Sequence, residues 1–129
     1  MIRELAEHEL SEVYIRFLEN VDKRTAIFKV GKAAFHPASG ASVAVDEEDD
    51  KINGVISWRQ EEGTKCINLA SKKSGTGKAL LNWLMAKYPQ GRFWLKGRKP
   101  VWGFYQHCGL QKTKTLNKRI AIFERISSL

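Results

Sequence analysis

The sequence predicts one α/β domain of the α+β kind spanning residues 1–129, and three observations carry that expectation. Two stretches, Leu10 to Val21 and Leu80 to Tyr88, repeat apolar residues at three- and four-residue spacing, the period of a helix with one buried face. Between them lie three short segments rich in β-branched and aromatic residues, 41–45, 52–58 and 65–70, which read as an antiparallel meander. The length of 129 residues, 43% of them hydrophobic, is enough for one core and too short for two.

The elements follow in chain order. Leu10, Val13, Tyr14, Phe17, Leu18 and Val21 form the stripe of the first helix, with Glu7, Glu9 and Glu12 towards the positive end of its dipole. Asp22 caps a second helix through about Phe35, with Ile27, Val30 and Ala34 as its stripe. Gly31 and the β-prone run at 25–28 work against that helix, and His36-Pro37 ends it. Within the meander, the acidic run at Asp46, Glu47, Glu48, Asp49 and Asp50 reads as a hairpin loop, and Gln60 to Gly63 as a second turn. After Gly75-Thr76-Gly77 the period changes to Leu80, Leu81, Leu84, Met85 and Tyr88, a helix that Pro89 stops. A strand at 92–95 follows, then a helix at 101–108 ended by Gly109, then strands at 110–116 and 119–126 around Asn117.

Charge is distributed unevenly. Residues 1–62 hold 13 acidic and 8 basic side chains, whereas 63–129 hold 14 basic ones and only Glu124, giving formal charges of −5 and +13. A carboxylate-free run of 61 residues, 63–123, suggests an anionic partner for the C-terminal half. The cations there are interleaved with Phe93, Trp94 and Trp102, a combination suited to a nucleic acid or an acidic protein surface. Cys66 and Cys108 are the only cysteines and lack zinc spacing to each other or to His8, His36 and His107, so neither a disulfide framework nor a metal is expected. No run of about 20 apolar residues and no signal-peptide core occurs, which predicts a cytoplasmic protein without a membrane segment.

The glycine turn carries the sharpest local signal. Gly75 and Gly77 stand between a strand and a helix, where missing Cβ atoms let backbone amides approach a ligand and the helix dipole favours phosphate. Lys72, Lys73 and Lys78 flank the turn. A P-loop is excluded because Lys72 takes its first glycine position and Ala79 replaces the magnesium-binding hydroxyl. A dinucleotide fingerprint fails at Leu80, where its third glycine belongs.

Lys72-Lys73-Ser74-Gly75-Thr76-Gly77 resembles the [Q/R]-x-x-G-x-[G/A] pyrophosphate loop of GNAT acetyltransferases, and Phe104-Tyr105-Gln106-His107-Cys108-Gly109-Leu110 is similar to that family's F-Y-x-x-x-G-F segment. The resemblance covers residues 5–126 in element order, and only Met1 to Leu5 are available for its first strand. It implies a single mixed, mostly antiparallel central sheet with helices on both faces, acetyl-CoA as cosubstrate and a primary amine as acceptor. It also implies that Lys72, Lys73, Ser74, Gly75, Thr76, Gly77 and Lys78 hold the pyrophosphate. Asn68, Leu69 and Ala70 would pair with the pantetheine arm between two splayed strands, and Tyr105 would be the proton donor to the leaving thiolate. Two departures stand out: Lys72 replaces Gln or Arg, keeping charge but not a guanidinium's two-pronged geometry, and only Ser71 separates Ala70 from Lys72. The base is left open among His107, Glu61, Glu62, a relayed water and an amine already partly neutral. The alternative reading is a GNAT-shaped binding module without turnover.

Overall fold

A computed structural model describes residues 1–6, 29–30, 33–34, 40–49, 51–72 and 74–126. Its strands are β1 (Ile2–Glu4), β2 (Lys29–Val30), β3 (Ala33–Ala34), β4 (Ser42–Glu48), β5 (Lys51–Gln60), β6 (Thr64–Ser71), β7 (Phe93–Arg98), β8 (Leu110–Thr115) and β9 (Ile120–Arg125). The described helices are α1 (Thr76–Lys87) and α2 (Trp102–His107), the latter entered through a 3-10 turn at Lys99–Val101. Seven strands form one sheet in the order β1-β4-β5-β6-β7-β9-β8, while β2 and β3 pair with each other. Among the described strands only β6 and β7 run parallel; the other pairings are antiparallel. Such a parallel step needs a crossover, and α1 supplies it. No described helix is long and apolar enough to cross a membrane.

Strand alternation divides the sheet into two faces. Ile56, Trp58, Cys66, Phe93, Leu95, Ala121 and Phe123 share a core with Leu80, Leu81 and Leu84 of α1, and Trp102 and Tyr105 of α2 pack against it. Both described helices therefore lie on this face. The three α1 leucines are fully buried, a burial that contributes about 1.5–3 kcal/mol per side chain. Val43, Val45, Val55 and Ser57, also buried, point to the opposite face.

The meander, the β1 strand and the order of elements from residue 41 onward follow the sequence expectation. Two expectations are corrected. The acidic run is not a loop: Asp46, Glu47 and Glu48 belong to β4, and the chain turns only at Asp49, whose φ is 52°. Positive partners let the strand continue, since the Met1 amino group lies 3.0 Å from Asp46 Oδ1 and Arg3 Nε 2.8 Å from Glu47 Oε2. The helix expected through about Phe35 gives way, at its C-terminal part, to the short pair β2 and β3 with Lys29 opposite Ala34. Gly31, between the two strands, and β-prone residues before them outweigh the apolar stripe. The first helix and the start of the second lie outside the described residues.

Candidate functional site

The site is built around a gap in the sheet. β6 and β7 pair at Thr64–Phe93, Lys65–Trp94 and Cys66–Leu95, and no pairing joins them beyond, although β6 runs on to Ser71 and β7 to Arg98. A bulge lies where they part. Ser57 faces Asn68 and the next residue, Trp58, faces Cys66, so Ile67 is an extra residue on β6. A bulge bends its strand and increases local twist, which turns β6 away from β7. Asn68, Leu69 and Ala70 thus border the gap, and the Asn68 carbonyl accepts the Cys66 thiol at 3.8 Å.

The N-terminus of α1 closes one end of the gap. Its cap residue Gly75 has φ 86° and no side chain caps the helix. The N–H groups of Thr76, Gly77 and Lys78 have no place in the helix ladder, which begins with Ala79 N–H donating to the Gly75 carbonyl at 3.0 Å. Two further glycines seat this turn. A Cβ on Gly54 of β5 would stand 2.5 Å from Thr76 Cγ2 and 2.8 Å from Leu80 Cδ1, so the bare strand is what lets α1 approach. A Cβ on Gly77 would meet the Phe104 ring at 3.2 Å and Ser71 Oγ at 3.3 Å, bringing the starts of α1 and α2 together. Lys72 donates its N–H to the Asn53 carbonyl at 3.0 Å, extending the β5–β6 ladder, and its side chain is exposed. Ser74 and Lys78 are exposed beside the turn; Lys73 lies outside the described residues.

Tyr105 reaches the gap from α2. Its ring lies over Gly97 of β7, where a Cβ would be 2.8 Å away, and against Phe123, with centroids 5.5 Å apart. Burial pushes its phenol up to about 12; the neighbouring Cys66 and Cys108 add to the rise and the Arg98 guanidinium opposes it. Burial likewise pushes the Cys66 thiol up to about 12 and raises that of Cys108. Around neutrality all three groups stay protonated, and a buried thiol of this kind is a poor nucleophile. Among the described residues the phenol takes no hydrogen-bond partner, so it is available as a donor.

The base candidates are less well placed. Glu61 holds Lys65 and Arg59, each at 2.8 Å, and the Lys65 and Arg59 hydrogen bonds keep its carboxyl below the usual range. Glu61 and Glu62 precede Thr64, at the paired end of β6 and β7; four residues of strand put Asn68 roughly 13 Å from Thr64. Glu124 is engaged by Arg92 and Thr113. His107 is exposed at the end of α2. The aromatic residues interleaved with the cations are structural: Phe93 is fully buried, Trp94 is 5% exposed, and Trp102 donates its indole N–H to the Gly97 carbonyl at 2.8 Å. Gly54, Gly97 and the Ile67 bulge shape the site, and only the first two leave a trace in the sequence, as glycines inside strand patterns.

No family model and no curated protein matches the chain. Solved structures do. Escherichia coli ElaA is 12% identical with a TM-score of 0.64, covering 98% of this chain and 99% of its own. An acyl-CoA N-acyltransferase from Pseudomonas aeruginosa is 10% identical with a TM-score of 0.61, over 98% of this chain and 97% of that one. The PaiA N-acetyltransferase of Thermoplasma acidophilum, solved in complex with coenzyme A, is 20% identical with a TM-score of 0.53, over 64% and 58%. With its mixed seven-stranded sheet, its parallel step across a gap and these likenesses, the chain has the fold of the GNAT acetyltransferases.

Proposed function

We propose that the protein is an acyltransferase that moves an acetyl group from acetyl-CoA to a primary amine, acting as a single domain over residues 1–129. The observation that carries this reading is the convergence of an uncapped helix N-terminus and a protonated tyrosine on one gap in the sheet. The residues fit the cosubstrate. The N–H groups of Thr76, Gly77 and Lys78, outside the helix ladder, suit a pyrophosphate, with Lys72, Lys73, Ser74 and Lys78 supplying charge and a hydroxyl, and Gly75 leaving the approach open, since none of the described residues lies within 4 Å of its missing Cβ. The unpaired edge at Asn68, Leu69 and Ala70 suits the amide-bearing pantetheine arm. When bound, acetyl-CoA supplies an activated thioester.

The chain's own residues then orient and move protons. On its core side the gap is walled by the buried Cys66, Leu95 and Phe123, and such apolar surroundings strengthen any hydrogen bond made there. The Tyr105 hydroxyl donates its proton to the departing sulfur. Because burial holds the phenol protonated, that donor is present at every physiological pH. With Glu61 and Glu124 engaged elsewhere and Glu62 exposed at the paired end of the strands, 3.3 Å from Arg92, the amine's proton leaves through water or the amine binds already neutral.

The shortened turn at Ser71 and the placing of Glu61 and Glu62 at the paired end of β6 and β7 favour a second reading, a GNAT-shaped adaptor that binds without turnover. A titration of acetyl-CoA followed by tryptophan emission, together with release of free thiol in the presence of simple primary amines, separates the two. A saturable emission change that Gly77→Val abolishes, accompanied by thiol release, is the expected result. A flat titration with the unaltered chain would sink both the cosubstrate and the reaction.

A further inference from the structure

On the face opposite α1 and α2, β7 and β8 carry cations that meet no carboxylate among the described residues. The register pairs Lys96 with Ile122 and Ile122 with Lys114, and pairs Arg98 with Ile120. Lys96, Arg98 and Lys114 are exposed and the two isoleucines half-buried. Lys118 and Arg119 extend the patch in the β8–β9 turn, which Asn117 closes: its Oδ1 accepts the Arg119 and Ile120 N–H groups at 2.7 and 2.9 Å. Lys99 N–H ties the same turn to the end of β7 by donating to the Arg119 carbonyl at 2.8 Å. Among the described residues none of these five cations meets a carboxylate, because Glu124, the nearest in sequence, is engaged by Arg92 and Thr113.

Like charges fixed side by side repel one another, and an anionic partner relieves that cost. The strand geometry sets their spacing at about 6.6 Å from Lys96 to Arg98 along β7 and about 9.6 Å from Lys96 to Lys114 across two strands. An extended chain with acidic residues at alternate positions repeats its carboxylates at the same 6.6 Å or so. Ile120 and Ile122, set between the cations, offer apolar contact to that chain's other side chains. Nucleic acid is served less well, because the aromatic rings are not free to stack bases. Trp94 is buried, with Lys65 and Arg92 at 4.8 and 4.4 Å from its ring centroid, and Lys112 covers Trp102 at 4.7 Å. The patch also adjoins the site, since Lys96 and Arg98 lie just past Leu95, where β7 parts from β6.

We propose that this basic face docks an acidic peptide segment and presents that segment's amine to the gap between β6 and β7. The amine's fate rests on the acyl-transfer reading; the docking does not. The test uses the full chain and a fluorescent peptide alternating Glu and Leu around one lysine, beside a charge-neutral Gln version and a short DNA duplex. Anisotropy should show the acidic peptide binding at low salt, the neutral one not, and affinity falling as salt rises. The double variant Lys96→Glu/Lys114→Glu should weaken it about tenfold or more, as should Lys118→Glu/Arg119→Glu, with the acetyl-CoA emission titration unchanged. Where thiol release is measurable, the KM for the acidic peptide should rise with little change in kcat. Equal binding of the acidic and neutral peptides, insensitivity to both double variants, or tight binding of the duplex without the peptide would overturn the proposal. Peptide binding that persists without any acetyl-CoA response supports docking and counts against the enzyme alone.

Discussion

Tyr105 is useful because of what lies under it. A phenol ring can rest on a strand only where the strand has no side chain, and Gly97 provides that bed while Phe123 fixes the ring's edge. Placing a methyl 2.8 Å from the ring forces a shift, so Gly97→Ala should cost about 1–3 kcal/mol of stability and should displace the hydroxyl. Its thiol release should therefore fall along with its urea midpoint. Tyr105→Phe isolates the proton from the packing: turnover should drop by roughly 10²–10⁴ while the emission titration with acetyl-CoA stays as it was. A variant turning over at the unaltered rate would remove Tyr105 from the reaction. The Tyr105 motif was legible in the sequence, but its bed was not, because nothing in the pattern of residues 93–98 tells which ring would lie on Gly97.

At the scale of elements, α1 is held at both ends by groups outside itself. Its start presses on Gly54 of β5. Its end is closed by Arg125 of β9, which donates to the carbonyls of Met85, Tyr88 and Gly91 at 3.1, 2.7 and 2.9 Å, satisfying acceptors the last turn leaves open. Arg125→Met keeps much of the stem and removes those bonds, and urea unfolding should report a loss of about 1–3 kcal/mol. Gly54→Ala acts at the other end. It should push Thr76 outward and raise the acetyl-CoA concentration needed for half-saturation, leaving the fold cooperative. The helix itself was readable from Leu80, Leu81, Leu84 and Pro89, as were the strands from residue 41 onward, because their periodicity is local. The acidic run was misread because its partners, the Met1 amino group and Arg3, arrive from more than 40 residues away. The parting of β6 and β7 was equally hidden: it depends on an extra residue, Ile67, that is visible only once β5 sets the register.

Across the whole molecule, the charge asymmetry of the sequence becomes a spatial one, with acidic β4 near one edge of the sheet and basic β7, β8 and their turns at the other. Between these edges the buried centre holds neutral titratable groups, Cys66 and Tyr105, and this governs the response to alkali. Burial holds both near 12 in the folded chain, whereas in an unfolded chain a thiol ionises near 8.5 and a phenol near 10. Below the unfolded values both states keep the protons and stability is independent of these groups. As pH rises past about 8.5 the unfolded chain loses protons first, so unfolding becomes more favourable, and the stabilisation is lost progressively up to the folded value near 12. Thermal melts should accordingly show the Tm falling through this window. Cys66→Ala removes one titrating group at the price of a small cavity, so its Tm should start lower near neutrality yet decline less steeply above pH 9. A slope identical to that of the unaltered chain would mean that Cys66 ionises in the folded state as readily as in water, and that the floor of the gap is wetter than its burial implies.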